Sequence, residues 1–269
     1  VSLLVPRGEA AATLVHVGSH DLALDVAGDL VRARHPGRAL ASTNVGSLAG
    51  LYALARGECH LAGTHLLWPE TGAYNLPYVE RVCQNLAVTL VHLALREQGL
   101  TVKKGNPKSI RGIADVARAD VEFVNRQRGA GTRVLFDAKL AEAGLAASQV
   151  RGYAREEQSH MAAAMAVASG VADCALTIRA AAQALDLDFV PVEREPFCLA
   201  IPTEDLESPG IAALLDTIAS AEFRARAEAL GGYTAGRSGE IEATYDPDAP
   251  RPGQAGPRAF APSARSRLP

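Results

Sequence analysis

The chain has 269 residues, 48% of them hydrophobic and 21% charged, with a mean hydropathy of +0.04 and a formal net charge of −3. That supply of apolar residues is enough for one large or two modest globular cores, while a pI near 6.2 argues against binding nucleic acid through bulk positive charge. No run approaches the ~18 uninterrupted apolar residues of a membrane span, and no charged-then-apolar signal segment opens the chain.

From the amino end, "ATLVHVG" is an apolar run rich in β-branched residues that stops at Gly18-Ser19, the pattern of a strand. In "HDLALDVAGDLVRAR", Leu22, Val26 and Leu30 recur four apart with Ala23, Ala27 and Val31 beside them, which predicts a helix capped by Ser19 and stopped by "HPG" at 35–37. Asp21 and Asp25 read as its solvated face. The unit repeats: "RALASTNV" as strand, Gly46-Ser47, then "LAGLYALARG" as a short helix. "HLAGTHLL" reads as a third strand, "WPETGAYNLP" as a loop, and "LAVTLVHLAL" as a long apolar run broken by the charged "REQG". The alternation then restarts through "LTVKKGNP", "SIRGIADVA", "VEFVN", "GTRVLFDAKLAEAG", "VRGYA", "SHMAAAMAVASG", "ADCALTI", "AAAQAL" and "DFVPV", and ends with "PFCLAIPTE" and helices near 209–218 and 220–230.

Alternating elements of this kind predict mostly parallel sheets with helices on both faces, an α/β fold. The break near residues 96–99 divides them into two lobes joined by two crossover strands with a cleft between. Lobe I is assigned to 1–96 plus 196–245 and lobe II to 97–195. From Asp246 to residue 269 the chain is rich in Pro, Gly, Ala, Arg and Ser and is expected to be a disordered tail.

In such sheets ligands meet the carboxyl ends of strands and the helix N-termini that follow, where unpaired N–H groups attract anions. Those junctions are "GSHD" around Ser19, "GSLAG" around Ser47, "RGAGTR" around Thr132 and "EEQSH" around Ser159. The stretch "NRQRGAGTR" is the most suggestive. Gly129 and Gly131 allow close approach of a ligand to the backbone, Thr132 suits the cap of a helix starting at Arg133, and Arg126, Arg128 and Arg133 bring forked donors suited to an oxyanion. The plainer reading is a turn whose arginines pair with Glu156 and Glu157. Ser19 and Ser47 likewise read either as caps or as contacts to a shared ligand. His20, beside Ser19, is kept as a ligand candidate and His160 as a second.

His16, inside an apolar strand, reads as a satisfied core histidine, and His60 and His65, five apart, point to opposite strand faces and cannot share a metal. The four cysteines, Cys59, Cys83, Cys174 and Cys198, show no metal-binding spacing and fit a reducing, cytoplasmic compartment. Because the first residue is Val, an upstream segment is left open, and with it a periplasmic or extracellular location if that segment held a signal. Enzyme motifs are missing: "GNPKS" is not a P-loop, no G-x-G-x-x-G opens the first helix, and Ser47 lacks the glycine of a G-x-S-x-G turn. No metal, cofactor or catalytic residue is assigned.

"VGSLAGLYALARGECHLAGTHLL", "TGAYNLPYV", "REQGLTV", "GNPKSIRG", "FVNRQRGAGTR" and "ASGVADCAL" resemble, in the same order, the periplasmic-binding-protein-like domain of molybdenum-related proteins of bacteria and archaea, often fused to helix-turn-helix or molybdopterin-biosynthesis domains. The likeness runs from about residue 12 to about residue 240. It implies a type II binding-protein fold, shared with molybdate and tungstate carriers and with LysR-type effector domains, in which Ser19 and Ser47 match serines that hold the oxyanion. Two features depart from that pattern. The arginine cluster suits a more highly charged or larger ligand, such as a phosphorylated pterin, and "ADCALTI" places Ala175 and Thr177 where small glycines are expected.

The resulting expectation is a ligand-sensing domain that binds molybdate, tungstate or a molybdenum-cofactor-related molecule between the lobes, as the effector domain of a transcriptional regulator with its DNA-binding domain upstream. The alternatives are the solute-binding carrier of an oxyanion ABC transporter, or an enzyme acting on an anionic substrate. Direct contact with nucleic acid or membrane is not expected, and a homodimer is among the states left open.

Overall fold

In the computed structural model, residues 13–249 are described. They run β1 (Thr13–Gly18), α1 (Leu22–Arg34), β2 (Ala39–Asn44), α2 (Ser47–Ala55), β3 (Ala62–Thr64), β4 (Leu67–Trp68), β5 (Ala73–Tyr74), α3 (Leu76–Val82) and β6 (Val88–Val102). Next come β7 (Phe123–Arg126), α4 (Gly131–Glu142), β8 (Glu156–Glu157), α5 (His160–Ala168), β9 (Cys174–Ile178), α6 (Arg179–Ala184) and β10 (Asp188–Pro202). The chain closes with α7 (Pro209–Ala219), α8 (Ala221–Ala229), β11 (Tyr233–Thr234) and β12 (Ile241–Tyr245). The stretch "VRGYA", expected as an element, is a turn. Of the tail expected to be disordered, residues 250–269 lie outside the described residues.

The fold is a mixed α/β structure organised by β6 and β10, fifteen residues each, which pair antiparallel along their whole lengths. The main sheet has the order β3-β10-β6-β9-β7-β8, with β11 and β12 also on β6. Parallel pairing holds for β1-β2, β7-β9 and β7-β8. The long strands add antiparallel pairing to β3 and β9, because a chain that crosses and returns must run in both directions.

Separate cores form at the two ends of this pair. At one end Leu24, Leu30 and Val31 of α1 pack with Ile211, Leu214 and Phe223 of α7 and α8. At the other, the rings of Phe123 and Phe136 stack with centroids 4.3 Å apart among Leu135, Leu140 and Val121. Each core buries the apolar helix face that the fourfold spacing prescribes.

The apparent break "REQG" is not a break: β6 runs straight through it. Two of its polar residues face inward: Arg96 is fully buried between Glu195 of β10, 2.8 Å from Nε, and Asp21, and Gln98 donates to the same Glu195 oxygen at 2.7 Å. Tyr233 on β11 donates to Asp21. Asp21 is thus a buried anchor rather than part of a solvated face. It also takes the cap of α1, accepting from Ala23 N at 2.8 Å, the role the sequence assigned to Ser19. Two carboxylates around one guanidinium satisfy charges that would be costly alone, and they do so on the strands joining the two cores.

Candidate functional site

Relieved of capping, Ser19 faces the start of α2, and its Oγ lies 2.8 Å from Ser47 Oγ. α2 has Gly46 at its cap, with φ +86° and no side-chain capping bond, so Ser47 is its first helical residue. His65 completes the group. Its backbone N–H donates to Ser47 Oγ at 3.3 Å, its Nε2 lies 3.1 Å from Ser19 Oγ, and its Nδ1 lies 3.0 Å from Glu195 Oε1. Hydrogen bonds thus link Ser47, Ser19 and His65, His65 Nδ1 abuts Glu195 without an aligned bond, and Gln98, bonded to Glu195, also donates through Nε2 to Thr132 Oγ1 at 3.0 Å.

Thr132 belongs to the other half of the molecule. α4 starts at Gly131 with Ala130 as a cap that forms no side-chain bond, so Thr132 sits inside the first turn and does not cap it. Gly131 is pressed against His65: a Cβ there would fall 2.6 Å from the ring and 2.7 Å from its carbonyl oxygen. Gly46 approaches Gly129 equally, with a Cβ position 3.0 Å from Gly129 O, and Asn44 donates to Gln158 O at 2.8 Å. The junctions of β1-α1, β2-α2, β7-α4 and β8-α5 thus meet face to face, and the helix N-termini share one small region.

Arg126, the last residue of β7, supplies its charge. It is 5% exposed, and its Nε donates to Gln127 Oε1 and Glu157 O and its Nη2 to Gln158 O, all neutral acceptors. Among the described residues no carboxylate forms an ion pair with it. Burial, and then the like charge of Arg96, lower its pKa to about 10. Its neighbours feel it in turn: burial first, then nearby positive charge, pushes His65 and His160 toward their neutral forms. His160, 5% exposed at the start of α5, has no partner for Nδ1. Ser159 caps α5, accepting from Ala162 N at 3.0 Å.

The residues singled out in the sequence separate clearly in space. Ser19, Ser47, Arg126, Gly129, Gly131 and Thr132 are brought together, and Ser159 borders them through Gln158. Arg128 is not: its side chain is 89% exposed and only 3.8 Å from Glu156, because the turn at Gly129 aims it outward. Arg133 is committed elsewhere, with Nη1 2.8 Å from Glu156 Oε1 and its guanidinium 4.3 Å over the Tyr153 ring. The turn with arginines paired to acids therefore describes these two, and the cradle only Arg126. His20 turns its ring outward to Asp25 at 2.8 Å, a bond that raises its pKa, while its backbone N–H donates to Asn44 Oδ1. Thr177 sits in the sheet, bonded to Thr101 and to Ile178 O, with Ala175 buried beside it.

His65, Gln98 and Glu195 were missed. The signal available was polar residues within apolar strands, which mark buried, satisfied networks as readily as surface. His16 is a satisfied core residue, with Nδ1 2.8 Å from Ser42 Oγ and Nε2 accepting from Gly63 N at 3.0 Å. His60 accepts from Val15 N on the exposed side, away from buried His65. Among the described residues no cluster of three His, Cys, Asp or Glu side chains is placed to hold a metal, and all four cysteines are free and buried. Nor is any helix there long and apolar enough to cross a membrane.

Comparison with known proteins adds four findings. The model of the PBP superfamily domain matches residues 28–219. The uncharacterized protein YvgK of Bacillus subtilis is 32% identical over 231 residues, covering 84% of this chain and 73% of that protein. Among solved structures, a phosphate ABC transporter substrate-binding protein with bound phosphate from Clostridium perfringens superposes with a TM-score of 0.62 at 15% identity, covering 82% of this chain and 98% of that one. The sulfate-binding protein SubI from Mycobacterium tuberculosis superposes with a TM-score of 0.59 at 14% identity, over 82% and 85% of the two chains. These structures support the type II binding-protein fold. The family match is to the superfamily and selects neither the molybdenum-related branch nor the LysR-type effector domains.

Proposed function

We propose that this chain, which belongs to the PBP superfamily, is a non-catalytic module that closes its two lobes around a small tetrahedral oxyanion. One observation carries the reading. Arg126 is buried with only neutral hydrogen-bond acceptors and no carboxylate paired to it, beside the junctions where four helices start, so its guanidinium is the buried cation left without a direct anionic partner. Contacts from both lobes favour closure only through their stronger interaction with the closed state. Ser19 and Ser47 on one side, and Arg126 with Thr132 on the other, would make that difference.

The groups offered are mainly donors. Thr132 Oγ1 already accepts from Gln98, which leaves its own O–H to give away, while Ser47 Oγ accepts from the His65 N–H and shares a hydrogen bond with Ser19 Oγ at 2.8 Å. Such a set suits an anion carrying no proton, so molybdate, tungstate and sulfate are favoured over hydrogen phosphate, which needs an acceptor. A molybdenum-cofactor-related ligand would need the lobes further apart than their present direct contact at Gly46 and Gly129. The module serves either as the effector domain of a regulator or as the carrier of an oxyanion transporter. The carrier reading draws support from the transport proteins among its structural neighbours.

An enzyme acting on an anionic substrate is the remaining reading, and one observation favours it: Ser19, His65 and Glu195 follow the order of nucleophile, base and orienting acid. A fluorophosphonate probe would label Ser19 if that relay activates it; the non-catalytic reading expects no labelling. Titration calorimetry with molybdate, tungstate, sulfate and phosphate tests binding itself. Saturable heat with at least one of the unprotonated anions is expected, and no heat with any of the four contradicts the proposal.

A further inference from the structure

The hydrogen-bond count around His65 carries a consequence for how the site fills. Nδ1 lies 3.0 Å from Glu195 Oε1. Glu195 is an ionised carboxylate: it accepts from Arg96 Nε and Gln98 Nε2, and the Arg96 guanidinium opposes the burial that would raise its pKa. Nδ1 and Oε1 are close without an aligned hydrogen bond, but an unprotonated Nδ1 would turn its lone pair on a negative oxygen, so Nδ1 carries the proton, and in a neutral ring Nε2 is then an acceptor. The group facing Nε2 is Ser19 Oγ at 3.1 Å, so the Ser19 hydroxyl donates to His65 and has no proton to offer a ligand. Ser47 is fixed in turn: its oxygen takes the His65 backbone N–H, and its hydroxyl hydrogen goes to Ser19 Oγ at 2.8 Å, so the bonds run from Ser47 to Ser19 to His65.

The ring cannot swing aside to release Ser19. It is stacked on Phe197 with centroids 5.6 Å apart, Gly131 of α4 closes over its edge, and it is 2% exposed. The charged and titratable groups around it are Glu195 on β10, Arg96 on β6, Arg126 on β7 and His160 on α5. Arg96 is shared by two carboxylates, Asp21 and Glu195, which leaves that group one negative charge in excess, and Arg126 offsets it. An incoming dianion therefore brings negative charge that no buried cation is left to compensate.

We propose that filling the cleft with a dianion loads one proton onto His65, which changes Nε2 from acceptor to donor toward Ser19 Oγ and frees the Ser19 hydroxyl to bond the anion. The proton comes from the buffer and returns to it on release. No bond other than the N–H is made or broken. Affinity then strengthens as pH falls, by up to about tenfold per pH unit while a full proton is taken up. This rests on the oxyanion reading above and adds to it a dependence on proton supply.

The test is calorimetry of the whole chain with molybdate and with sulfate, at roughly pH 6.5 to 8, in two oxyanion-free buffers of unlike ionisation enthalpy. The expected result is a buffer-dependent heat equal to uptake of about half to one proton, lost in His65→Gln. Should that variant not fold, ring-nitrogen NMR of the wild-type chain decides: His65 passes from one protonated nitrogen to two when molybdate is added. Binding with identical heats in both buffers overturns the inference and leaves the oxyanion reading intact, as does a proton that appears on His160 instead. No heat from either anion overturns the oxyanion reading, and the inference with it.

Discussion

Gly131 lies so close to His65 that a single added methyl group would sit 2.6 Å from the imidazole and 2.7 Å from the His65 carbonyl oxygen. The first residue of α4 is in effect a fitting of one lobe onto the other, and backbone cannot yield as a flexible side-chain tip does. Gly131→Ala is therefore expected to hold the lobes apart, lowering anion affinity at least about tenfold, while the separate cores keep each half folded. Small-angle scattering with saturating molybdate would show it: the wild-type chain contracts and the variant does not.

Arg126 makes a prediction of opposite signs. Its guanidinium is buried against neutral oxygens and a like charge, so the empty protein gains little from it. Arg126→Ala is expected to leave the Tm of the empty protein unchanged or higher. The same change should weaken anion binding roughly ten- to a hundredfold, for charge-assisted bonds of about 1.5–3 kcal/mol. A residue serving the fold alone would lose stability and affinity together.

Arg128 and Arg133 provide the contrast. Arg128→Ala removes an exposed side chain and should change neither stability nor affinity measurably. Arg133→Ala breaks the contact to Glu156, the bond to Arg126 O and the packing over Tyr153, and is expected to cost about 1–3 kcal/mol in denaturant unfolding. An affinity loss for Arg128→Ala as large as that for Arg126→Ala would overturn the placement of the charge.

The division between what the sequence told and what it hid follows from the range of the forces. Local patterning was enough for α1, α2, α4 and α5, whose apolar spacing and stop signals match the helices found. It also located the junctions that meet in the cleft. What it could not assign was the polar interior of β6 and β10: Arg96 and Gln98 read as part of a charged break until Glu195, 99 and 97 residues away in sequence, is known as their partner. The same long-range pairing moved the cap of α1 from Ser19 to Asp21, which a local capping rule would not separate. Among the arginines, composition counted equal charges, and only the turn at Gly129 distinguishes the one that faces inward.

Acid should weaken the fold in a defined window. Burial holds His16 neutral, with its pKa lowered to about 4 from 6.5. The unfolded chain therefore takes up a proton that the folded one refuses, and the stability is fully present above pH 6.5 and lost as pH falls toward 4, by about 3 kcal/mol for this residue. His65 and His160 act in the same direction, and His20, raised by its bond to Asp25, acts in the other. Denaturant unfolding at a series of pH values in oxyanion-free buffer should show the decline, flatter in His16→Asn. Constant stability between pH 6.5 and 4 would contradict it.

The most direct measurement is a crystal soaked in or grown with molybdate and recorded at the molybdenum absorption edge. The anomalous peak is predicted between the Ser19 and Ser47 hydroxyls and the Arg126 guanidinium, within hydrogen-bond distance of both sides. A peak confined to other surfaces, or a saturated crystal with the lobes closed and no peak between them, would contradict it.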